Sequence, residues 1–286
     1  MRRACLVLAA VMFMMPAATF ALENEKDKSR ERFVVYYADT APLTQFKPYQ
    51  LVVLDSTHHP DLLPLKEEDK VILGYLTLGE VDKNSRSYAL LKERNLILQE
   101  NPNWKGSYYV DMRDPLWAKI VLEDLIPSIL RQGFDGLFLD TLDNPLALEE
   151  QNREKYAGMR DAALHMVQAI RMHYPSIKIM MNRAYGILPK VAPLIDMEMA
   201  ESLYAGYDFG KKEYKLVPDA DYQAQLQILQ GIKKKHPKLK IYTLDYAAPS
   251  DRSAAKEIYR VERANGFIPY VATIGLDKII EEPGTP

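Results

Sequence analysis

A chain of 286 residues with 37 basic and 39 acidic side chains carries a formal charge of −2, and no long basic stripe runs through it, which argues against nucleic acid as a partner. Its only cysteine, Cys5, sits in the first few residues. A chain processed after that point has no disulfide, thiol nucleophile or Cys-ligated metal.

Arg2 and Arg3 precede an apolar run from Leu6 to Met15, which breaks at Pro16 and leads through small residues to Ala21. This is the pattern of a signal peptide over residues 1–21, with an uncleaved anchor as the alternative reading. The run is shorter than the roughly 20 apolar residues needed to cross a bilayer. The expected protein is therefore secreted or periplasmic, with no membrane attachment once the signal is removed. Residues 22–32 are charged without hydrophobic period and read as a disordered leader. The folded region is expected over 33–280.

Apolar β-rich runs follow at Phe33–Ala38, Leu51–Leu54, Val71–Leu78, Tyr108–Asp111, Gly136–Asp140, Ile177–Met181, Met197–Glu201, Ile241–Tyr246 and Phe267–Ile274. Helical patterns alternate with them. Asp114-Pro115 joins an N-cap residue to a proline at the first helical position, and Trp117, Ile120, Val121, Leu125, Ile129 and Leu130 recur at helical spacing behind it. That helix ends at Gly133, and further helices are expected over Tyr156–Tyr174, Asp221–Lys235 and Ser250–Ala264, ended by Pro175, Pro237 and Gly266. No repeat, low-complexity tract or Gly/Ser linker divides the chain. Alternating strands and helices over about 250 residues predict one α/β domain, a (β/α)8 TIM barrel. Nine strands are one too many, and the Tyr108 segment is either the surplus or a short strand feeding the following helix.

Barrel strands are buried on both faces, so the informative residues are the polar ones that end apolar runs, where the active face forms. Asp55, Glu80, Asp111, Asp140, Glu201 and Asp245 hold such positions, as does Asn182. Strand parity puts Gly136, Phe138 and Asp140 on one side, and Met197, Met199 and Glu201 on one side. Two carboxylates facing one cleft suit acetal cleavage: one protonated to aid the leaving oxygen, one ionised to attack or to activate water. Glu198 has the wrong parity, and Asp135 lies at the opposite strand end and reads as structural.

The segment Gly133-Phe-Asp-Gly-Leu-Phe-Leu-Asp-Thr-Leu-Asp143 resembles the central motif of the endo-α-1,4-polygalactosaminidases, glycoside hydrolase family 114, and of the related hydrolase domain of the Pel exopolysaccharide system. Val35-Tyr-Tyr-Ala38, Leu73-Gly-Tyr-Leu-Thr-Leu-Gly-Glu80, Tyr109-Val-Asp-Met-Arg113 and Met199-Ala-Glu201 support it, in order, from Phe33 to about Ile274. The resemblance implies Asp140 and Glu201 as the catalytic pair. It also implies an amino-sugar polymer as substrate: α-1,4-linked galactosamine, at least partly de-N-acetylated.

Around that pair, Asp55, Glu80, Asp111, Asp143, Asn182 and Asp245 are candidate sugar contacts, each with a competing reading as a loop cap or ion-pair partner. Tyr37, Tyr204, Tyr207 and Tyr246 are candidate stacking or hydroxyl partners, with ordinary packing as the alternative. His58-His59 diverge on an extended chain, and no His-Glu-x-x-His, P-loop, G-x-G-x-x-G or G-x-S-x-G pattern occurs. No metal or cofactor is expected, and the enzyme is expected to act as a monomer. Two rivals remain at this stage: a barrel that binds polysaccharide without cutting it, and a hydrolase of another specificity, such as an α-galactosidase-like enzyme.

Overall fold

The runs with no polar face become the wall of a barrel. The computed structural model describes residues 31–284; the expected signal peptide and nearly all of the leader lie outside them. Eight strands form one sheet: β1 Phe33–Tyr36, β2 Leu51–Leu54, β3 Val71–Thr77, β4 Gly136–Asp140, β5 Lys178–Asn182, β6 Met197–Glu201, β7 Lys240–Tyr246 and β8 Ile268–Ala272. Each pairs in parallel with the next in sequence. One residue past β1, the Tyr37 N–H donates to the Leu276 carbonyl beyond β8 at 2.7 Å. That contact brings first and last strands together and nearly closes the ring. Helices cross between the strands, so the fold is the (β/α)8 TIM barrel expected from the sequence.

The crossover helices start and stop for local reasons. Asp114 caps Pro115–Arg131 by accepting the Leu116 N–H at 2.8 Å. That helix widens to a π turn at Val121–Leu125, just before Pro127, whose ring and missing N–H do not fit a regular ladder. The expected helix over Tyr156–Tyr174 is in fact a turn, Arg153–Tyr156, and a helix, Met159–His173. Gly158 at φ 89° separates them, in a region where other residues are strained. The surplus strand is not in the barrel. Residues Ser107–Val110 pair antiparallel with Glu80–Asp82 and Ile97–Glu100 in a three-stranded sheet rising from the end of β3. A hairpin, Ala205–Asp208 with Glu213–Leu216, rises from the end of β6.

The tightest point in the wall is Gly136, where a Cβ would sit inside the Lys178 carbonyl of the neighbouring strand. Backbone cannot move aside as a side chain can. Gly136→Ala is therefore expected to destabilise by about 1–3 kcal/mol or more, through overpacking. Gly231 lies within the helix Asp219–Lys235 with nothing near its Cβ position. Gly231→Ala should instead stabilise by about 0.5–1 kcal/mol. Thermal melts of the two variants should move in opposite directions.

Candidate active site

Three adjacent strands supply the floor of the site. β4 ends in Asp140, β6 in Glu201, and β5 between them in Asn182, all at the C-terminal mouth. Asn182 is buried, and its Nδ2 donates to Asp140 Oδ1 at 2.9 Å and to Glu201 Oε2 at 2.7 Å. Two oxygens sharing one donor at those lengths lie no more than about 5.6 Å apart. The remaining oxygens are also held. Tyr75 donates its hydroxyl to Asp140 Oδ2 at 2.8 Å, and the Tyr246 hydroxyl donates to Glu201 Oε1. Tyr37 packs edge-on against Tyr75, with ring centroids 5.2 Å apart.

The surroundings treat the two acids differently. Burial, and then the neighbouring Asp140 charge, push the Glu201 carboxyl up to about 7; hydrogen bonds from Tyr246 and Asn182 and the charge on Arg183 limit the rise. The phenols of Tyr37, Tyr75 and Tyr246 are raised well above their usual value by burial and by these same carboxylates. They stay neutral donors throughout the range in which Glu201 titrates. Asp143 stands at the rim, 3.4 Å from the Arg183 guanidinium. Burial raises its carboxyl, with Arg183 opposing and Asp140 adding to the shift.

Tyr37, Asn182, Tyr246 and Asp143 thus gather around the pair, and Asp55 lies near enough for its charge to raise the Tyr37 phenol; the other expected contacts are engaged by partners of their own. Asp245 is fully buried with parity opposite to Tyr246, and its Oδ1 accepts the Tyr204 and Ala205 N–H groups at 2.7 and 2.9 Å. It fixes the chain leaving β6 and faces away from the mouth. Tyr204 packs edge-on to Tyr222. Glu80 is buried and accepts from Asn101 at 2.7 Å, Asn144 at 2.5 Å and the Ser107 hydroxyl, so it binds loop to loop. Asp55 is used by its own turn, accepting from the Thr57 N–H and hydroxyl and the His58 N–H. Asp111 forms a two-point contact with Arg113 at 2.8 and 2.6 Å. Burial would raise its carboxyl, but that contact outweighs burial and leaves it lowered. Tyr207 lies on the β6 hairpin among Phe209 and Tyr214.

The family model for "Glycoside-hydrolase family GH114" matches residues 17–285. The chain belongs to glycoside hydrolase family 114. As a GH114 protein it is a glycoside hydrolase, and its barrel agrees with solved structures. The glycoside hydrolase domain of PelA from Pseudomonas aeruginosa superposes with a TM-score of 0.78 at 26% identity, covering 88% of this chain and 98% of that one. Ega3 of Aspergillus fumigatus, solved with galactosamine, shares the fold with a TM-score of 0.64 at 13% identity, over 88% and 94% of the two chains. An uncharacterized protein of Deinococcus radiodurans is 26% identical over 249 residues, 82% of this chain and 76% of the relative. No helix among the described residues is long and apolar enough to cross a membrane.

Sequence reasoning missed three features of this candidate site. Tyr75 lies mid-strand, but parity with Thr77, which pairs with Asp140, could have placed it on the same face. Arg183 carried no signal beyond following Asn182. Thr141, directly after Asp140, adopts φ 64° although β-branched, and Arg183 and Ala184 after Asn182 have φ 56° and 45°. Backbone strain of this kind gathers at functional sites. The Thr141 hydroxyl accepts the Gly79 N–H at 2.8 Å, which ties the end of β3 to the end of β4.

Proposed function

We propose that this protein is an exported endo-glycosidase cutting α-1,4-linked, galactosamine-rich polysaccharide, with Asp140 as nucleophile and Glu201 as general acid and base. The observation that carries the proposal is the single Asn182 amide bonded to both carboxylates. It holds the nearest oxygens within about 5.6 Å. A separation of about 5–5.5 Å suits attack by one carboxylate and retention of configuration, whereas inversion needs about 6.5–9.5 Å to seat a water.

In the first step Glu201, protonated, gives its proton to the glycosidic oxygen while Asp140 attacks the anomeric carbon. The C–O bond to the leaving sugar breaks, and an Asp140 ester forms with inverted configuration. Glu201, now ionised, takes a proton from water, which displaces Asp140 with a second inversion. The raised Glu201 carboxyl supports the acid role. Asp140 accepts from two neutral donors, Asn182 and Tyr75, which hold its two oxygens in place for attack. The substrate assignment rests on the family and on PelA and Ega3; export rests on residues 1–21.

Incubation with a partly de-N-acetylated α-1,4-galactosamine polymer should shorten it to oligomers with new reducing ends. Proton spectra taken before mutarotation should show those ends first as the α-anomer. Binding without new reducing ends would instead select a carbohydrate-binding barrel, and β-anomer first would remove Asp140 as nucleophile.

A further inference from the structure

The two excursions from the rim meet at their tips. The β3 sheet carries Trp104 in the turn between Ile97–Glu100 and Ser107–Val110, and the β6 hairpin carries Phe209 in its own turn. The rings lie 5.4 Å apart at 75°. Phe209 also packs edge-on to Tyr207 at 5.3 Å, and Tyr207 to Tyr214 at 5.1 Å. Despite these contacts Trp104 is 51% exposed and Phe209 37%. In strand order the ends of β4 and β5, with Asp140 and Asn182, lie between the bases of the two excursions, and Glu201 ends β6 at the base of the hairpin.

Both tips are held in advance of any ligand. Buried Glu80 accepts from Asn101 and Ser107, on either side of Trp104, and from Asn144 just after β4. The Ser107 N–H closes the turn onto the Trp104 carbonyl at 3.0 Å. In the hairpin, Asp208 accepts the Gly210 and Lys211 N–H groups at 3.0 Å and pairs with Lys215 at 2.7 Å. An aromatic cluster fixed by polar latches, yet left half in water, is built to meet something. On the hairpin Lys211 pairs with Glu213 and Lys215 with Asp208. The exposed surface of the two tips is aromatic, which suits a ligand with an apolar face. A pyranose ring, with axial C–H groups on one face, meets that requirement.

We infer that Trp104 and Phe209 form a distal sugar subsite, a stacking platform for a hexosamine ring of the polymer away from the bond being cut. The inference rests on the proposed polysaccharide substrate. It accounts for Glu80, whose role is to set the platform in register with β4.

The chain has two tryptophans. Trp117 is 1% exposed with its Nε1 bonded to the Leu78 carbonyl. Trp104 emission can therefore report ligand directly. Asp140→Asn protein should be titrated with a galactosamine dimer and octamer, in free-amine and N-acetylated forms. The octamer should blue-shift or quench emission in both forms, the dimer far less. Trp104→Phe should silence the signal, and Phe209→Ala should weaken octamer binding. On long polymer, Trp104→Ala in the active enzyme should raise KM roughly fivefold with little change in kcat, a penalty that grows with chain length. An octamer that leaves emission unchanged while the wild-type enzyme cuts it overturns the subsite and spares the hydrolase reading. Emission that responds while no polymer is cut keeps the subsite and sinks the proposed cleavage. Emission that follows protein concentration and ignores octamer would assign the pair to self-association and overturn the inference.

Discussion

Asp140→Asn should abolish polymer cleavage, with kcat/KM falling on the order of 10^4–10^6-fold, because no other group can form the covalent intermediate. The fold should survive the change. An asparagine can keep its carbonyl toward the Asn182 amide and turn its own amide toward the Tyr75 hydroxyl, which can accept as readily as donate. Glu201→Gln should cost about 10^2–10^4-fold on a natural linkage. On an activated aryl glycoside the first step of the Glu201 variant should recover, since that leaving group needs no proton. Alanine variants with azide divide the roles by product. Without Glu201, azide should intercept the Asp140 ester and give an α-glycosyl azide. Without Asp140, azide should occupy the nucleophile's place and give the β-azide. The reverse stereochemistry would exchange the two roles, and substantial activity in either isosteric variant would remove the pair altogether.

Much of this geometry was legible because strand period is a strict rule. β4 and β6 have the expected limits, and parity alone put Asp140 and Glu201 on one side of their strands. The same rule excluded Glu198. Applied to β7 it would also have separated Asp245 from Tyr246, two neighbours that cannot face one mouth together. Side-chain partners were not legible. Glu80 follows an apolar run as Asp140 does, but nothing local reveals that Asn101, Ser107 and Asn144 converge on it from other segments. The two excursions escaped for a related reason. Antiparallel pairing across their turns is read from contacts between segments, and their half-exposed aromatic residues look like ordinary alternating strands.

Activity should fall as pH rises through about 7, because the acid form of Glu201 is the one that cleaves. The sign follows from the shift: a carboxyl raised by burial and by Asp140 keeps its proton past the pH at which an exposed glutamate loses it. The limb belongs to Glu201, so Tyr246→Phe, which removes a donor to the ionised carboxylate, should move it to higher pH. That shift separates a tuned catalytic acid from a residue that only packs. Fold stability falls over a related range and has to be kept apart. Burial also raises Asp245 to about 7 and Glu262 to about 8. The unfolded chain releases these protons near 4, so between about 4 and 8 it binds fewer than the folded state and the free energy of unfolding declines as pH climbs. Rates read at once after a pH jump, with near-ultraviolet dichroism unchanged, isolate the catalytic limb. A profile flat across pH 6–8 on intact protein would mean that proton donation by Glu201 does not limit cleavage.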